Sequence, residues 1–112
     1  MASRHGQLVQ ATLKYLTALG YEVFPVKNLA TPHVKNGAVT GWSRGLLKPG
    51  VSDVCGCTDK GAFIAVEVKI SPDKLRPDQE AFAISVQKRG GIFVEVRDTV
   101  DALIQAHQKG LL

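Results

Sequence analysis

The sequence predicts one α/β domain over residues 1–112, in which helices pack on a mixed β-sheet. Three features indicate it: an amphipathic helical pattern at the start, two strands joined by a tight turn in the middle, and a strand–helix–strand unit after them. A tight turn joins antiparallel strands, whereas a helical crossover joins parallel ones, so the sheet should contain both kinds of pair. The composition, with 45% hydrophobic and 21% charged residues, is that of a globular protein.

The first two predicted elements are a helix over residues 4–19 and a strand over residues 21–26. The helix has apolar residues at helical spacing, Ser3 as a candidate N-cap and Gly20 as a stop. The strand is β-branched and aromatic, but Pro25 has no N–H to donate to a neighbouring strand. We therefore expect a short strand or an edge strand.

Residues 27–50 predict a long loop. The segment contains four glycines, two prolines and two asparagines, with few apolar residues between them. Loops of this length in compact domains are usually functional or mobile.

The second half of the chain predicts the centre of the sheet. Residues 51–57 and 62–70 have the pattern of strands around a turn at residues 58–61, which makes an antiparallel hairpin. Residues 77–89 then predict a helix, and residues 92–97 predict a strand parallel to the second strand of the hairpin.

The last predicted element is a helix that carries Val100, Leu103 and Ile104. Its apolar side chains either form a contact between two copies of the chain or pack on the sheet of the same chain. The predicted order of elements is α-β-β-β-α-β-α.

The two cysteines, Cys55 and Cys57, are interpreted as buried free thiols. A zinc site would need two more ligands at suitable spacing, and the three histidines are scattered along the chain.

The net charge of +4 suits a polyanionic partner, and its distribution says more than its size. No acidic residue occurs from Val23 to Ser52. We expect a nucleic-acid-binding surface there, formed by Lys27, Lys35, Trp42, Arg44 and Lys48. The alternatives are that the basic residues serve solubility and that Trp42 anchors the long loop in the core.

The candidate chemistry lies in the predicted hairpin. Glu67 and Lys69 are two residues apart in a strand, so their side chains share one face, while Val66 and Val68 occupy the other. Taken alone, this pair is better explained as part of a solvated face. The hairpin brings Asp53 beside Glu67, and two carboxylates that converge are ligands suited to Mg²⁺ or Mn²⁺.

The chain thus contains, in order, Gly50-Val51-Ser52-Asp53, Glu67-Val68-Lys69 and, in the following helix, Gln79. This series resembles the signature of the PD-(D/E)XK nucleases and, more narrowly, that of the VRR-NUC family. The resemblance implies a restriction-endonuclease-like core with the element order given above. Its specific part runs from Pro49 to Val96.

The resemblance also implies roles for five residues of this chain. Asp53 and Glu67 would be metal ligands with the Val68 carbonyl as a third, Lys69 the catalytic lysine, and Gln79 the residue that positions Lys69 or the attacking water.

The sequence departs from the family pattern in the first helix. Many members carry a Glu near the start of that helix, where this chain has His5-Gly6-Gln7. Either His5 or Gln7 takes a supporting role, or the helix contributes only structure, which we favour.

The function that follows is a structure-selective DNA endonuclease that uses Mg²⁺ or Mn²⁺. The resemblance extends to phage-type proteins that cut four-way (Holliday) junctions as homodimers. The alternatives are a catalytically silent nucleic-acid-binding module with a nuclease fold and a sequence-specific, restriction-type endonuclease. No apolar stretch is long enough to span a membrane, and we expect a cytoplasmic location in a bacterial or phage-infected cell.

Overall fold

The computed structural model describes residues 2–27, 31–43 and 48–112, in which three helices and six strands are found. The helices are α1 (Arg4–Ala18), α2 (Pro77–Lys88) and α3 (Asp101–Gln108). The strands are β1 (Glu22–Pro25), β2 (Thr31–Lys35), β3 (Ala38–Ser43), β4 (Val54–Cys57), β5 (Phe63–Lys69) and β6 (Ile92–Arg97).

The main sheet has four strands in the order β1-β4-β5-β6. Strand β4 pairs antiparallel with β1 and with β5, and β5 pairs parallel with β6. The α/β fold with a mixed sheet that the sequence predicts is therefore confirmed. Strands β1 and β6 form the two edges of this sheet.

Helices cover both faces of the main sheet because β4 and β5 are apolar on both sides. On one face, Val54, Ile64 and Val66 are fully buried in a cluster with Leu16 of α1 and Leu103 of α3. On the other face, a smaller cluster brings α2 against the sheet through Val86, Cys55 and Ala65. Helix α3 thus packs on its own sheet, the second of the two arrangements expected for it.

The segment 27–50 differs from the predicted loop because it contains the hairpin of β2 and β3. Asn36 and Gly37 form its two-residue turn, both with positive φ (53° and 77°), between Lys35 and Ala38, which pair across the strands. An Asn-Gly pair that allows positive φ at both positions is a strong hairpin signal. No other helix or strand of the described chain packs against this hairpin.

Local signals at the ends of the elements behave largely as expected. The Oγ of Ser3 accepts a hydrogen bond from the Gly6 N–H, so Ser3 caps α1.

Both cysteines are free thiols, but only Cys55 is buried. Cys57, at the end of β4, is exposed, which corrects the expectation for that residue. Among the described residues, no helix has the length and apolar character needed to cross a membrane.

Candidate active site

Strand β5 brings Glu67 and Lys69 to the same face of the sheet. The neighbouring Val66 and Val68 point into the core on the opposite face, as the alternation predicts. Glu67 is buried, with 3% of its surface exposed, and Lys69 Nζ lies 4.0 Å from Glu67 Oε1. The solvated-face alternative for this pair is therefore wrong.

Asp53 reaches the same place from the residue before β4. Because β4 begins at Val54, which pairs with Val66, continuing the register puts Asp53 opposite Glu67. Strand β5 runs past the start of β4, so the backbone of Val68 has no partner there in β4. Its N–H donates instead to Asp53 Oδ2, at 2.8 Å, and this bond fixes the carboxylate beside β5.

The turn that leads to Asp53 is held against the start of α2 at Gly50. This glycine has a φ of +86°, and a Cβ atom at its position would overlap the backbone carbonyl of Asp78. Only glycine satisfies both conditions without displacing the chain. The contact therefore sets the distance between the Asp53 segment and the N-terminus of α2.

Gln79 lies in the first turn of α2 and is buried. Its Nε2 donates to Glu67 Oε1 at 3.1 Å, while its Oε1 accepts from the Arg76 N–H at 2.9 Å. The amide is thus fixed at both ends. We expected Gln79 to position Lys69 or a water molecule, and its contact in the structure is with Glu67.

His5, in the first turn of α1, also reaches this site. Its Nε2 is 3.1 Å from the Val68 carbonyl oxygen and 3.5 Å from Asp53 Oδ2. Gln7 does not take this position, since its Nε2 donates to the Ala2 carbonyl at the start of the same helix. Of these two residues of α1, His5 is therefore the one that contacts the site.

Burial and charge together favour the protonated form of Glu67. Desolvation is the main cause, followed by repulsion from the Asp53 carboxylate, and together they raise the Glu67 pKa from 4.5 to about 8. The cations of Lys69 and Arg76 oppose this shift and lower the pKa. A carboxyl with so high a pKa at the centre of a polar cluster is typical of a functional site.

Comparison with protein families identifies the family of this chain. The model of the VRR-NUC domain matches residues 28–101. The chain belongs to the VRR-NUC family. No curated protein and no solved structure matches it.

The VRR-NUC domain implies a nuclease-type function with DNA as substrate. The matched residues include Asp53, Glu67, Lys69 and Gln79, whereas α1 and β1 precede them. The contribution of His5 therefore lies outside the part of the chain that the family model describes.

The oxygen atoms of this VRR-NUC site fit a hard divalent cation. Glu67 Oε2 is buried and has no hydrogen-bond partner among the described residues. Such an atom is costly to bury unless a cation or a donor satisfies it. No group of three or more His, Cys, Asp or Glu side chains in residues 2–27, 31–43 and 48–112 is arranged to hold a metal ion. A cation here would thus use two carboxylates together with a backbone oxygen.

The residues expected to bind nucleic acid lie at the surface where the structure describes them. Lys27, Lys35 and Lys48 are exposed. Trp42 in β3 is 65% exposed, so the core-anchor alternative is wrong for it. Arg44 lies outside the described residues. Lys27 also lines a cleft of about 300 Å³ together with His5 and Asp53, so this one lysine lies next to the VRR-NUC site.

Two further residues shape the site, and neither of them was assigned a role from the sequence. Gly50 fixes the approach of the Asp53 segment to α2, and the charge of Arg76 acts on Glu67. The signal for Gly50 was its place after Pro49 in a turn, which is common in proteins and does not by itself indicate a close backbone contact. Arg76 precedes the Pro77 that starts α2, a position where a solvent-exposed side chain is the ordinary interpretation.

Proposed function

We propose that this VRR-NUC protein is a metal-dependent endonuclease that hydrolyses phosphodiester bonds in DNA, with branched DNA such as four-way junctions as the preferred substrate. The observation that carries the proposal is the buried Glu67 carboxyl group, which lies beside the Asp53 carboxylate and whose Oε2 has no hydrogen-bond donor among the residues that the structure describes. Two carboxyls this close are an unfavourable arrangement unless they share a cation or a proton. A nuclease that binds a cation between the two carboxyls would explain this arrangement.

In this proposal Asp53, Glu67 and the Val68 carbonyl hold the Mg²⁺ or Mn²⁺ ion. These are the oxygen donors that both ions accept. When bound, the ion supplies an acidified water molecule and positive charge next to the scissile phosphate.

The remaining side chains act on charge and position. Lys69 is only 12% exposed in its side chain, so its ammonium stabilises negative charge that develops on the phosphate more strongly than a solvated one would. Gln79 Nε2 donates to Oε1 of Glu67 and leaves Oε2 of Glu67 available to a cation. Glu67 is therefore oriented before the substrate arrives, which lowers the reorganisation needed for the reaction.

DNA contacts come from the basic surface and the β2–β3 hairpin in this proposal. A two-stranded β-ribbon has the width to enter a major groove, and Trp42 and Lys35 are exposed on it. Phosphate contacts by lysines carry no sequence information, which favours selection of DNA by its shape. Two symmetric cuts in a four-way junction require two sites, and a homodimer would supply them.

Cleavage assays on matched substrates test the proposal. Purified protein is incubated with linear, nicked, flapped and four-way DNA, with Mg²⁺, with Mn²⁺ or with chelator. We expect cation-dependent cleavage, strongest on four-way DNA, which Asp53→Asn, Glu67→Gln and Lys69→Ala each abolish while the fold and DNA binding persist. Matched controls at exposed positions are Asp59→Asn, Glu22→Gln and Lys60→Ala.

The outcomes separate this function from its alternatives. Binding without cleavage under any cation would indicate a silent binding module. Discrete fragments from plain duplex plasmid would indicate a restriction-type enzyme. Full activity in any of the three active-site variants would contradict the assignment of that residue, and light scattering that detects only a monomer would exclude the homodimer.

A further inference from the structure

Asp98 follows the last residue of β6 and binds the end of β5 at two points. Its backbone N–H donates to the Lys69 carbonyl at 3.0 Å. Its carboxylate accepts two hydrogen bonds from Ser71, one from the backbone N–H to Oδ1 at 2.9 Å and one from the side-chain Oγ to Oδ2 at 2.6 Å. One residue thus holds the chain on both sides of Ile70, directly after the lysine of the active site.

The end of β5 depends on these contacts because only one strand accompanies it there. Strand β4 pairs with β5 as far as Val66, and beyond that residue the backbone of β5 pairs, within the described chain, with β6 alone. The ends of strands with few neighbours open more readily than the centre of a sheet. Lys69 is the last residue of β5, so the contacts that hold residues 69–71 also hold its ammonium beside Glu67.

The backbone at Asp98 adopts an unfavourable conformation in making these contacts. Its φ is +64°, and the Thr99 N–H donates back to the Arg97 carbonyl at 2.7 Å, which closes a three-residue turn around Asp98. A three-residue turn with positive φ at its centre is rare and strained, although Asp and Asn tolerate left-handed backbone better than most residues. Backbone strain is concentrated at functional sites, where the surrounding contacts maintain it.

The contacts of the Asp98 carboxylate outside the Ser71 segment are weak. It does not cap α3, because the Asp101 N–H at the start of that helix donates to Thr99 Oγ1. Its ion pair with Arg4 has a length of 3.8 Å and involves an Arg4 side chain that is 74% exposed, so it contributes little to stability. The hydrogen bonds from Ser71 are the main cause that lowers the Asp98 pKa, so the group remains an ionised acceptor.

We infer that Asp98 is a positioning residue for the active site, which fixes the segment from Lys69 to Ser71 and thereby holds the Lys69 ammonium in place. The inference rests on the proposed function, because it takes Lys69 as the group that stabilises charge on the phosphate. Asp98 acts only through Lys69 and contacts neither the DNA nor the ion. A shift of about 1 Å in a catalytic group can cost on the order of a hundredfold in rate, so such placement matters.

Three variants separate positioning from a general effect on the fold. Asp98→Gly removes both acceptor oxygens but suits the positive φ, so the turn itself is not strained by the change. Asp98→Asn also tolerates this φ, keeps an oxygen for the Ser71 N–H and offers its Nδ2 to the Ser71 Oγ. Ser71→Ala removes one of the two hydrogen bonds and leaves the turn unchanged. The matched control is Asp59→Gly, at an exposed turn position between β4 and β5.

Cleavage and binding are measured separately on the full chain, with the DNA and the cation that the wild type uses. We expect Asp98→Gly to lower the single-turnover rate at saturating DNA about tenfold or more, while the Kd for DNA in chelator stays within about twofold of the wild type. Asp98→Asn should restore the rate to within about threefold, and Ser71→Ala should fall between the two. Asp59→Gly should match the wild type.

Backbone dynamics of the metal-free chain without DNA test the inference independently of catalysis. The ¹⁵N order parameters of the Ile70 and Ser71 amides should be about 0.85 in the wild type and below about 0.6 in Asp98→Gly. Asp98→Asn and Asp59→Gly should keep the wild-type values. If Asp98→Gly fails to fold, Ser71→Ala replaces it, with a lower rate and a lower Ser71 order parameter as the expected result.

Failure of the inference and failure of the proposed function give different results. A wild-type rate in Asp98→Gly, or wild-type order parameters at Ile70 and Ser71, would overturn Asp98 as a positioning residue and leave the nuclease intact. An equal loss of rate in Asp98→Asn or in Asp59→Gly would also overturn it, because neither variant removes the contacts with Ser71. Wild-type protein that cleaves no DNA with either ion would contradict the proposed function, and the order parameters would still decide whether Asp98 fixes the end of β5.

Discussion

The Nε2 atom of Gln79 lies 3.1 Å from Oε1 of Glu67, and this hydrogen bond connects the first turn of α2 to the buried carboxylate of β5. The other end of the amide accepts from the Arg76 N–H, so the same side chain closes the N-terminus of α2. The hydrogen bonding at the N-terminus of α2 and the orientation of Glu67 therefore depend on the same side chain. A change at Gln79 should affect both.

Gln79→Ala should therefore lower cleavage and stability together. Leaving an oxygen of the buried Glu67 carboxyl without its donor costs about 1–3 kcal/mol, and a misoriented Glu67 should slow single-turnover cleavage roughly tenfold or more. The measurements are the cleavage rate at saturating DNA and the free energy of unfolding in urea. Gln87→Ala, at an exposed position of the same helix, is the control. Equal cleavage rates and equal free energies of unfolding in the two variants would show that the Gln79–Glu67 hydrogen bond contributes to neither.

Gly50→Ala should be more damaging than Gly61→Ala. Both glycines have a φ near +85°, but only Gly50 lacks space for a Cβ atom, which would overlap Asp78. The backbone cost of about 1–2 kcal/mol is common to both, so the difference between them isolates the close contact. We expect Gly50→Ala to lose at least about 1 kcal/mol more in chemical denaturation and to cleave DNA more slowly, since Asp53 follows it. A Gly61→Ala variant that is equally impaired would contradict this.

Metal-free protein should lose stability as the pH rises from 5 to 8. The folded-state pKa of Glu67 is about 8, above its ordinary value of 4.5. Between these values the folded state keeps a proton that the unfolded chain has released, so the free energy of unfolding falls with rising pH. Relative to Glu67→Gln, which cannot ionise at this position, the wild type should lose on the order of 3 kcal/mol over this range.

Thermal unfolding in chelator at several pH values checks this sign. The quantity compared is the difference in Tm between wild type and Glu67→Gln, because other titrating groups cancel in it. The difference should grow in favour of Glu67→Gln toward pH 8. A difference that is independent of pH, or that grows toward acid, would mean that Glu67 is ionised throughout.

Replacing Lys35 and Lys48 by alanine should weaken DNA binding and reduce its dependence on salt. Each phosphate contact contributes about 0.9 to the slope of log K against log salt, so the double variant should lose about 1.8. The chemical step at saturating DNA should persist. The control is the double variant Lys88→Ala and Lys109→Ala, also at exposed positions. It has the same net charge as the Lys35 and Lys48 double variant. An unchanged slope would place the DNA elsewhere.

The parts of the site that depend on local patterns could be predicted from the sequence. The alternation in β5 predicts that Glu67 and Lys69 share a face, and the short turn before β5 brings Asp53 to them, because register follows from turn geometry. The β2–β3 hairpin was missed because the glycines and prolines of residues 27–50 outweighed the Asn36-Gly37 signal.

Contacts that depend on the packing of separate elements could not be obtained in this way. The reach of His5 to Val68 depends on the angle and height at which α1 crosses the sheet, which side-chain packing decides. The choice of Glu67 as the partner of Gln79 depends likewise on how closely α2 approaches β5. Spacing along the chain carries no information on either distance.

The two edges of the main sheet restrict how copies of this protein can associate. Strand β1 is only four residues long and ends at Pro25, which has no N–H, and β6 carries Glu95 and Arg97, paired at 3.3 Å. A short edge, a proline and charged side chains all oppose strand addition by another molecule. The protein should therefore resist aggregation through the edge strands of its main sheet. A symmetric dimer should form through helices or sheet faces, without one continuous sheet that runs across both subunits.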